Sequence, residues 1–177
     1  MKAVLTDGKT MRHYADSSQQ RNGQAWFLPD ESRLWVALIC PAVKICRLGT
    51  HIAPKFAGRY YDSLAAACIF LPADKAYDPL RADERFFLMD AAYCVGDFLP
   101  VGEYDRVHRI SVGDGTMEFS AAQYEVDSKV SELSEFSTLK MGDLLIFVSD
   151  AIAVDLAEND RLEVTIDDSP SVILKIK

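Results

Sequence analysis

Ser137-Thr-Leu-Lys-Met-Gly-Asp-Leu-Leu-Ile-Phe147 decides how the rest of the chain is read. Before it, Val126, Val130 and Leu133 recur at helical spacing, with Phe136 three further on, so a helix is expected to arrive here. Glu125 and Lys129 stand four apart in the better order for an exposed ion pair. Asp127 and Ser128 can accept bonds from open backbone donors near the helix start. After the stretch, Leu144 to Val148 is a continuous apolar run, which suits a strand buried on both faces. Gly142-Asp143 supplies the turn between them, because Gly permits positive φ and Asp bonds nearby backbone.

Around this stretch lie 177 residues, a length that suits one domain. Half of them are apolar, enough for a core. The net charge of -8 and the scattered Lys and Arg argue against a nucleic-acid surface. No apolar stretch reaches membrane-spanning length. Asp7 comes too early for a signal-peptide core, so a cytoplasmic address is expected. Cys40, Cys46, Cys68 and Cys94 form no Cys-x-x-Cys pair and are read as thiols that pack as small hydrophobes.

In chain order, Ala3-Val-Leu reads as a short strand and Asp16 to Gln24 as a surface loop. Ala25 to Leu28 and Leu34 to Cys40 read as a hairpin about Pro29-Asp-Glu-Ser, with Pro41 ending its second strand. Val43 to Leu48 is a third strand. Leu64 to Leu71 is a continuous apolar strand ended by Pro72. Residues 73–84 read as a loop with one helical turn. Arg85 to Gly96 reads as a strand in which Asp90 is the one buried charge. Arg106 to Val112 and Thr116 to Phe119 make a hairpin about Gly113-Asp-Gly. Leu162, Val164 and Ile166, then Val172, Leu174 and Ile176, line the inner faces of a last pair of strands.

Thr138-Leu-Lys-Met-Gly-Asp-Leu-Leu-Ile is similar to the Thr-Leu-x-x-Gly-Asp-x-Ile segment of the fumarylacetoacetate hydrolase family. Asp97-Phe-Leu-Pro-Val-Gly resembles that family's Phe-x-Pro-Leu-Gly, and Ala157-Glu-Asn-Asp-Arg-Leu-Glu-Val-Thr-Ile resembles its closing strand. Lys44-Ile-Cys-Arg-Leu-Gly echoes its Lys-Ile-x-x-Val-Gly. The resemblance implies an α+β, β-rich fold. This would be a mixed-sheet roll or sandwich with one main helix before Thr138. It divides the chain into an N-terminal hairpin region, 1–42, and a fumarylacetoacetate hydrolase-like domain, 43–177. It also implies a homodimer, since members are commonly dimeric.

The family cleaves, decarboxylates or isomerises oxo acids with a divalent ion held by three carboxylates. Oxygen ligands of that kind suit magnesium or manganese. Its Glu-x-Glu pair aligns with Tyr61 and Ser63, and its Lys-x-x-Asp with Tyr93 and Gly96. The interval holding the third carboxylate is shortened. The Thr-Gly-Thr-Pro loop is replaced by Phe147-Val-Ser-Asp, and of the lid's His and Glu only His51 has a counterpart. The chain is therefore expected to be a non-catalytic relative, with no catalytic residue and no cofactor. It would act through assembly or through a small carboxylate held by Arg47, His51, Arg59, Tyr61 and Tyr93, since a guanidinium matches a carboxylate bidentately. The alternative is a divergent metal-dependent enzyme acting on an acylpyruvate-like oxo acid. In it Asp62, Asp90 and Asp97 would hold magnesium or manganese.

Overall fold

The computed structural model describes residues 2–29 and 33–177. Its elements are β1 (Ala3–Thr6), β2 (Met11–Tyr14), β3 (Gln19–Gln20), β4 (Ala25–Trp26), β5 (Trp35–Ile45), α1 (Pro54–Ala57), β6 (Tyr61–Pro72), α2 (Arg85–Leu88), β7 (Tyr93–Val95), β8 (Leu99–Pro100), β9 (His108–Val112), β10 (Gly115–Phe119), α3 (Val126–Phe136), β11 (Leu144–Phe147), β12 (Ile152–Leu156), β13 (Arg161–Ile166) and β14 (Ser169–Ile176). One mixed sheet runs β2-β1-β11-β5-β6-β7-β3, with β12 also on β5 and β8 also on β6. A second runs β10-β9-β13-β14-β4. No described helix is long and apolar enough to cross a membrane.

The apolar run after Gly142 forms as expected. β11 lies between parallel β1 and antiparallel β5. Leu145 and Phe147 join the cluster between the sheets with Ile110, Val164 and Leu174, while Leu144 and Ile146 face the other cluster with Leu5 and Tyr14. Both terminal hairpins form. The second turns through Asp167 and Asp168 at positive φ and buries Val172, Leu174 and Ile176.

Four readings are corrected. Phe136 is 85 % exposed and Leu133 only partly buried. The face α3 buries runs through Val126, Val130, Ser131 and Ser134. Both serines are satisfied by the segment before α1: Ser131 donates to the Ile52 carbonyl at 2.6 Å and Ser134 accepts from its N–H at 2.8 Å. A polar residue with its bonds made can sit inward, so the buried face keeps Val126 and Val130, with Leu133 at its border, and turns through the serines instead of reaching Phe136. At the helix start, Asp127 makes no cap, and Lys129 pairs with Glu132 at 2.9 Å rather than with Glu125.

Pro41 does not end a strand. It lies inside β5, opposite Ala66. Ile45 bonds Asp143 and Gly142 on the β11 side, and alternation puts residue 41 on that side too. There β12 stops pairing at Ile39 and β11 begins at Ala42, so the missing N–H meets a gap. The boundary expected after residue 42 thus falls within one strand.

The hairpin of residues 25–40 does not form either. Ala25 and Trp26 pair with β14 in the second sheet, and residues 30–32 of its expected turn lie outside the described residues. In the fourth correction, residues 85–96 divide into α2 and β7. Asp83 accepts the Arg85 N–H at 2.9 Å at the start of α2, and Asp90 is exposed.

Candidate functional site

The turn at Gly142, φ 91°, fixes the end of β5 from which the candidate residues depart. The Asp143 carboxylate, 2 % exposed, accepts the N–H groups of Lys140 and Lys2, each at 2.9 Å. Ile45 donates to the Asp143 carbonyl at 2.8 Å and accepts from Gly142 at 2.8 Å. Further out, Gly49 and Leu139 exchange bonds of 3.1 and 2.8 Å. Residues 46–49 are thereby held along the stretch that leads into β11.

Opposite them β6 begins with a bulge. Lys44 pairs with Ser63 and Ile45 with Tyr61, so Asp62 is the extra residue. The bulge breaks the two-residue alternation. Tyr61 joins Leu64, Ala66 and Cys68 on the face toward the second sheet. Its hydroxyl donates to the Asp127 carboxylate at 2.7 Å. Burial first, then that bond, push the phenol above its ordinary value, so it stays a neutral donor. Ser63 instead donates to its exposed neighbour Asp62 at 2.5 Å. The two positions aligned with a paired carboxylate motif therefore do not act as a pair.

The third aligned position, Gly96, sits against β14. A Cβ there would stand 2.3 Å from the Ser171 carbonyl oxygen. A phenol, a hydroxyl and a bare Cα do not make a donor set for a small divalent ion, which needs carboxylates to offset its dehydration. Asp62, Asp90 and Asp97 are all exposed and are not gathered. Asp62 lies in the bulge, whereas Asp90 stands just before Ala92, which bonds Phe70 near the opposite end of β6. Among the described residues no group of three His, Cys, Asp or Glu could hold a metal. The residues present do not fit the ion that the resemblance implies.

Of the residues expected to hold a carboxylate, the structure gathers three at one end of the β5–β6 pair. Arg47 follows β5 and Arg59 precedes Tyr61; between them Cys46 bonds across, its N–H donating to the Tyr60 carbonyl at 2.8 Å and its thiol to the Arg59 carbonyl at 3.7 Å. Burial and then the Asp62 charge hold the Cys46 thiol above its ordinary value, against the opposing charges of Arg47 and Lys44. Arg59 and Lys55 both lie against the Phe56 ring, 5.2 and 4.9 Å from its centroid. Among the described residues, none of Lys44, Arg47, Lys55 and Arg59 forms an ion pair. His51 stands apart at the end of α3. It is exposed with φ 48°, its N–H donates to the Ser134 carbonyl at 2.9 Å, and it borders a cavity of about 460 Å³ with Pro54 and Phe136. Tyr93 lies elsewhere altogether, opposite Ile69 and stacked on Tyr14 at 4.7 Å.

Sequence reasoning missed Asp127 as a site residue, treating it as a helix cap. It also missed Lys55. No spacing in the sequence marks either one, because their neighbours come from distant segments. Two adjoining cavities of about 400 and 590 Å³ open between Arg33 and Phe86. Lys75, Arg81 and Arg85 in their walls are each paired with a nearby Asp, so the charge there is internally balanced.

No protein-family model and no curated protein matches the chain in sequence. Solved structures match its shape. A fumarylpyruvate hydrolase from Pseudomonas aeruginosa, in complex with Mn2+ and pyruvate, superposes with a TM-score of 0.78 at 15 % identity, covering 99 % of this chain and 89 % of that one. A maleylpyruvate hydrolase from Sphingobium sp. SYK-6 gives 0.77 at 13 % identity, covering 99 % and 69 %. A 5-carboxymethyl-2-hydroxymuconate delta-isomerase from Mycobacterium smegmatis gives 0.73 at 12 % identity, covering 99 % and 78 %. The chain has the fold of the fumarylacetoacetate hydrolase family, built without that family's usual metal-ligand motifs.

Proposed function

We propose that this protein binds a small carboxylate on the fumarylacetoacetate hydrolase fold and does not use a divalent ion to do so. One observation carries the reading. In a chain of net charge -8, the cations Arg47, Lys55 and Arg59 lie without ion pairs among the described residues, around the turn where the fold's aligned carboxylate position is filled by a neutral, bonded Tyr61. Unpaired guanidinia in an acidic protein favour an anion, and a planar fork suits a carboxylate. The protein would act in the cytoplasm and as a homodimer, and light scattering at micromolar concentration that gives a monomer mass would refute the dimer.

The test is calorimetric titration with pyruvate, alone and with magnesium or manganese. The expected result is metal-independent binding that weakens at least about tenfold in Arg59→Ala, the loss of one charge-assisted contact. A second reading, favoured by the hydrolases and isomerases that share the fold, is a divergent metal-dependent enzyme acting on an acylpyruvate-like substrate. A one-site metal isotherm that disappears in Asp62→Asn or Asp97→Asn, together with metal-stimulated cleavage of an acylpyruvate, would establish that reading in place of ours.

A further inference from the structure

We infer that the ligand of this site carries an amino group beside its carboxylate, and that Asp127 selects for it. The inference rests on the carboxylate-binding reading above. Asp127 belongs to the first turn of α3, yet its side chain turns toward α1 and β6: a Cβ on Gly58 would stand 3.6 Å from one of its oxygens. Gly58 is followed directly by Arg59, so one short segment presents a guanidinium and borders a carboxylate. The two are not within ion-pair distance of each other, and Tyr61 is the one hydrogen-bond partner of the Asp127 carboxylate among the described residues. A carboxylate has about four acceptor sites, so most of its capacity is open. Its charge is felt nearby. After burial, Asp127 and then Glu125 raise the Tyr104 phenol. Tyr104 and Phe56 are both exposed.

Cations without ion pairs among the described residues and an under-used carboxylate, carried on neighbouring segments, are together complementary to a zwitterion. A second anionic group on the ligand would meet Asp127 with like charge, whereas an ammonium would be attracted and could donate to it. Tyr61 is a positioning residue here. Its bond, reinforced by burial on the inter-sheet face, fixes which way the carboxylate points.

Alanine and pyruvate share a carbon skeleton and differ in the group next to the carboxylate, so they form the test pair for calorimetry on the full chain. The expected result is alanine binding at least about tenfold tighter than pyruvate, the size of one charge-assisted bond. Asp127→Asn should bring the two within about threefold by removing the charge. Tyr61→Phe keeps that charge but releases the carboxylate's orientation, so the preference for alanine should shrink and still exceed that of Asp127→Asn, which a purely structural role for Asp127 would not allow. If pyruvate binds as tightly as alanine, the inference fails while carboxylate binding stands. If neither binds, both fail. Should Asp127→Asn not fold, the alanine-to-pyruvate ratio in Tyr61→Phe and the parent decides the matter, and a ratio near one in both overturns the inference.

Discussion

Tyr61 and Tyr93 answer to opposite ends of the same strand. Tyr61 opens β6, and Tyr93 lies across from Ile69. Eight residues separate those positions along the strand, about 25 Å at the usual rise. Both side chains are buried and both phenols are raised chiefly by burial. Their roles differ because their surroundings do. Tyr93 stacks on Tyr14 within an apolar cluster, so it is packing. Tyr61 spends its hydroxyl on Asp127 at an end where a bulge, a short α1 and cations without ion pairs among the described residues meet. The lesson is that burial, a shifted phenol and a nearby charge do not mark a site, since Tyr93 has all three through Asp16; what sets Tyr61 apart is its place beside the bulge and its bond to Asp127.

The comparison can be broken by mutation. Tyr93→Ala should cost about 3–5 kcal/mol, the range for deleting a buried ring; a urea midpoint equal to the parent's would show that the Tyr93 end is not packed as described. Leu145→Ala, on the strand buried between two neighbours, should cost about 2–5 kcal/mol, with the slope of the urea transition unchanged. Tyr61→Phe keeps the ring and loses one bond to a partly exposed carboxylate, so about 1 kcal/mol is expected. If it costs as much as Tyr93→Ala, the Tyr61 end is core and not site.

Alkaline titration sharpens the same contrast. Burial holds Tyr93 up to about 12 against an ordinary value of 10.0. A phenol whose folded value is raised stabilises the fold fully below the unfolded value, and that stabilisation is lost as pH rises from about 10 to about 12. The melting temperature should therefore fall across that window, and fall less in Tyr93→Phe. An equal fall would show that other groups control the loss. The smallest effect is expected for Phe136→Ser, within about 0.5 kcal/mol, because the ring is 85 % exposed. A large loss would restore the inward helical face that the spacing implied.

Much of the scaffold was legible because its signals are local. The run Leu144 to Phe147, the turn at Gly142-Asp143 and the two terminal hairpins each depend on a pattern within a few residues. The errors share a different cause. Ser131 and Ser134 face inward because the Ile52 backbone satisfies them. Pro41 survives in β5 because two other strands leave a gap beside it. Both answers come from segments distant in sequence.

By itself the sequence determined the β-rich class, the helix that leads into the central strand, and the absence of acidic residues at Tyr61, Ser63 and Gly96. Those follow from residue identity and spacing, which the chain carries wherever it goes. Only the tertiary structure decided that Asp62 is a bulge residue, that Tyr61 therefore turns to the inter-sheet face while Ser63 does not, and that Asp127 meets Tyr61 from 66 positions away. One extra residue in a strand reverses the face of everything beyond it. No feature of Tyr-Asp-Ser announces that residue, because it is set by the register with β5.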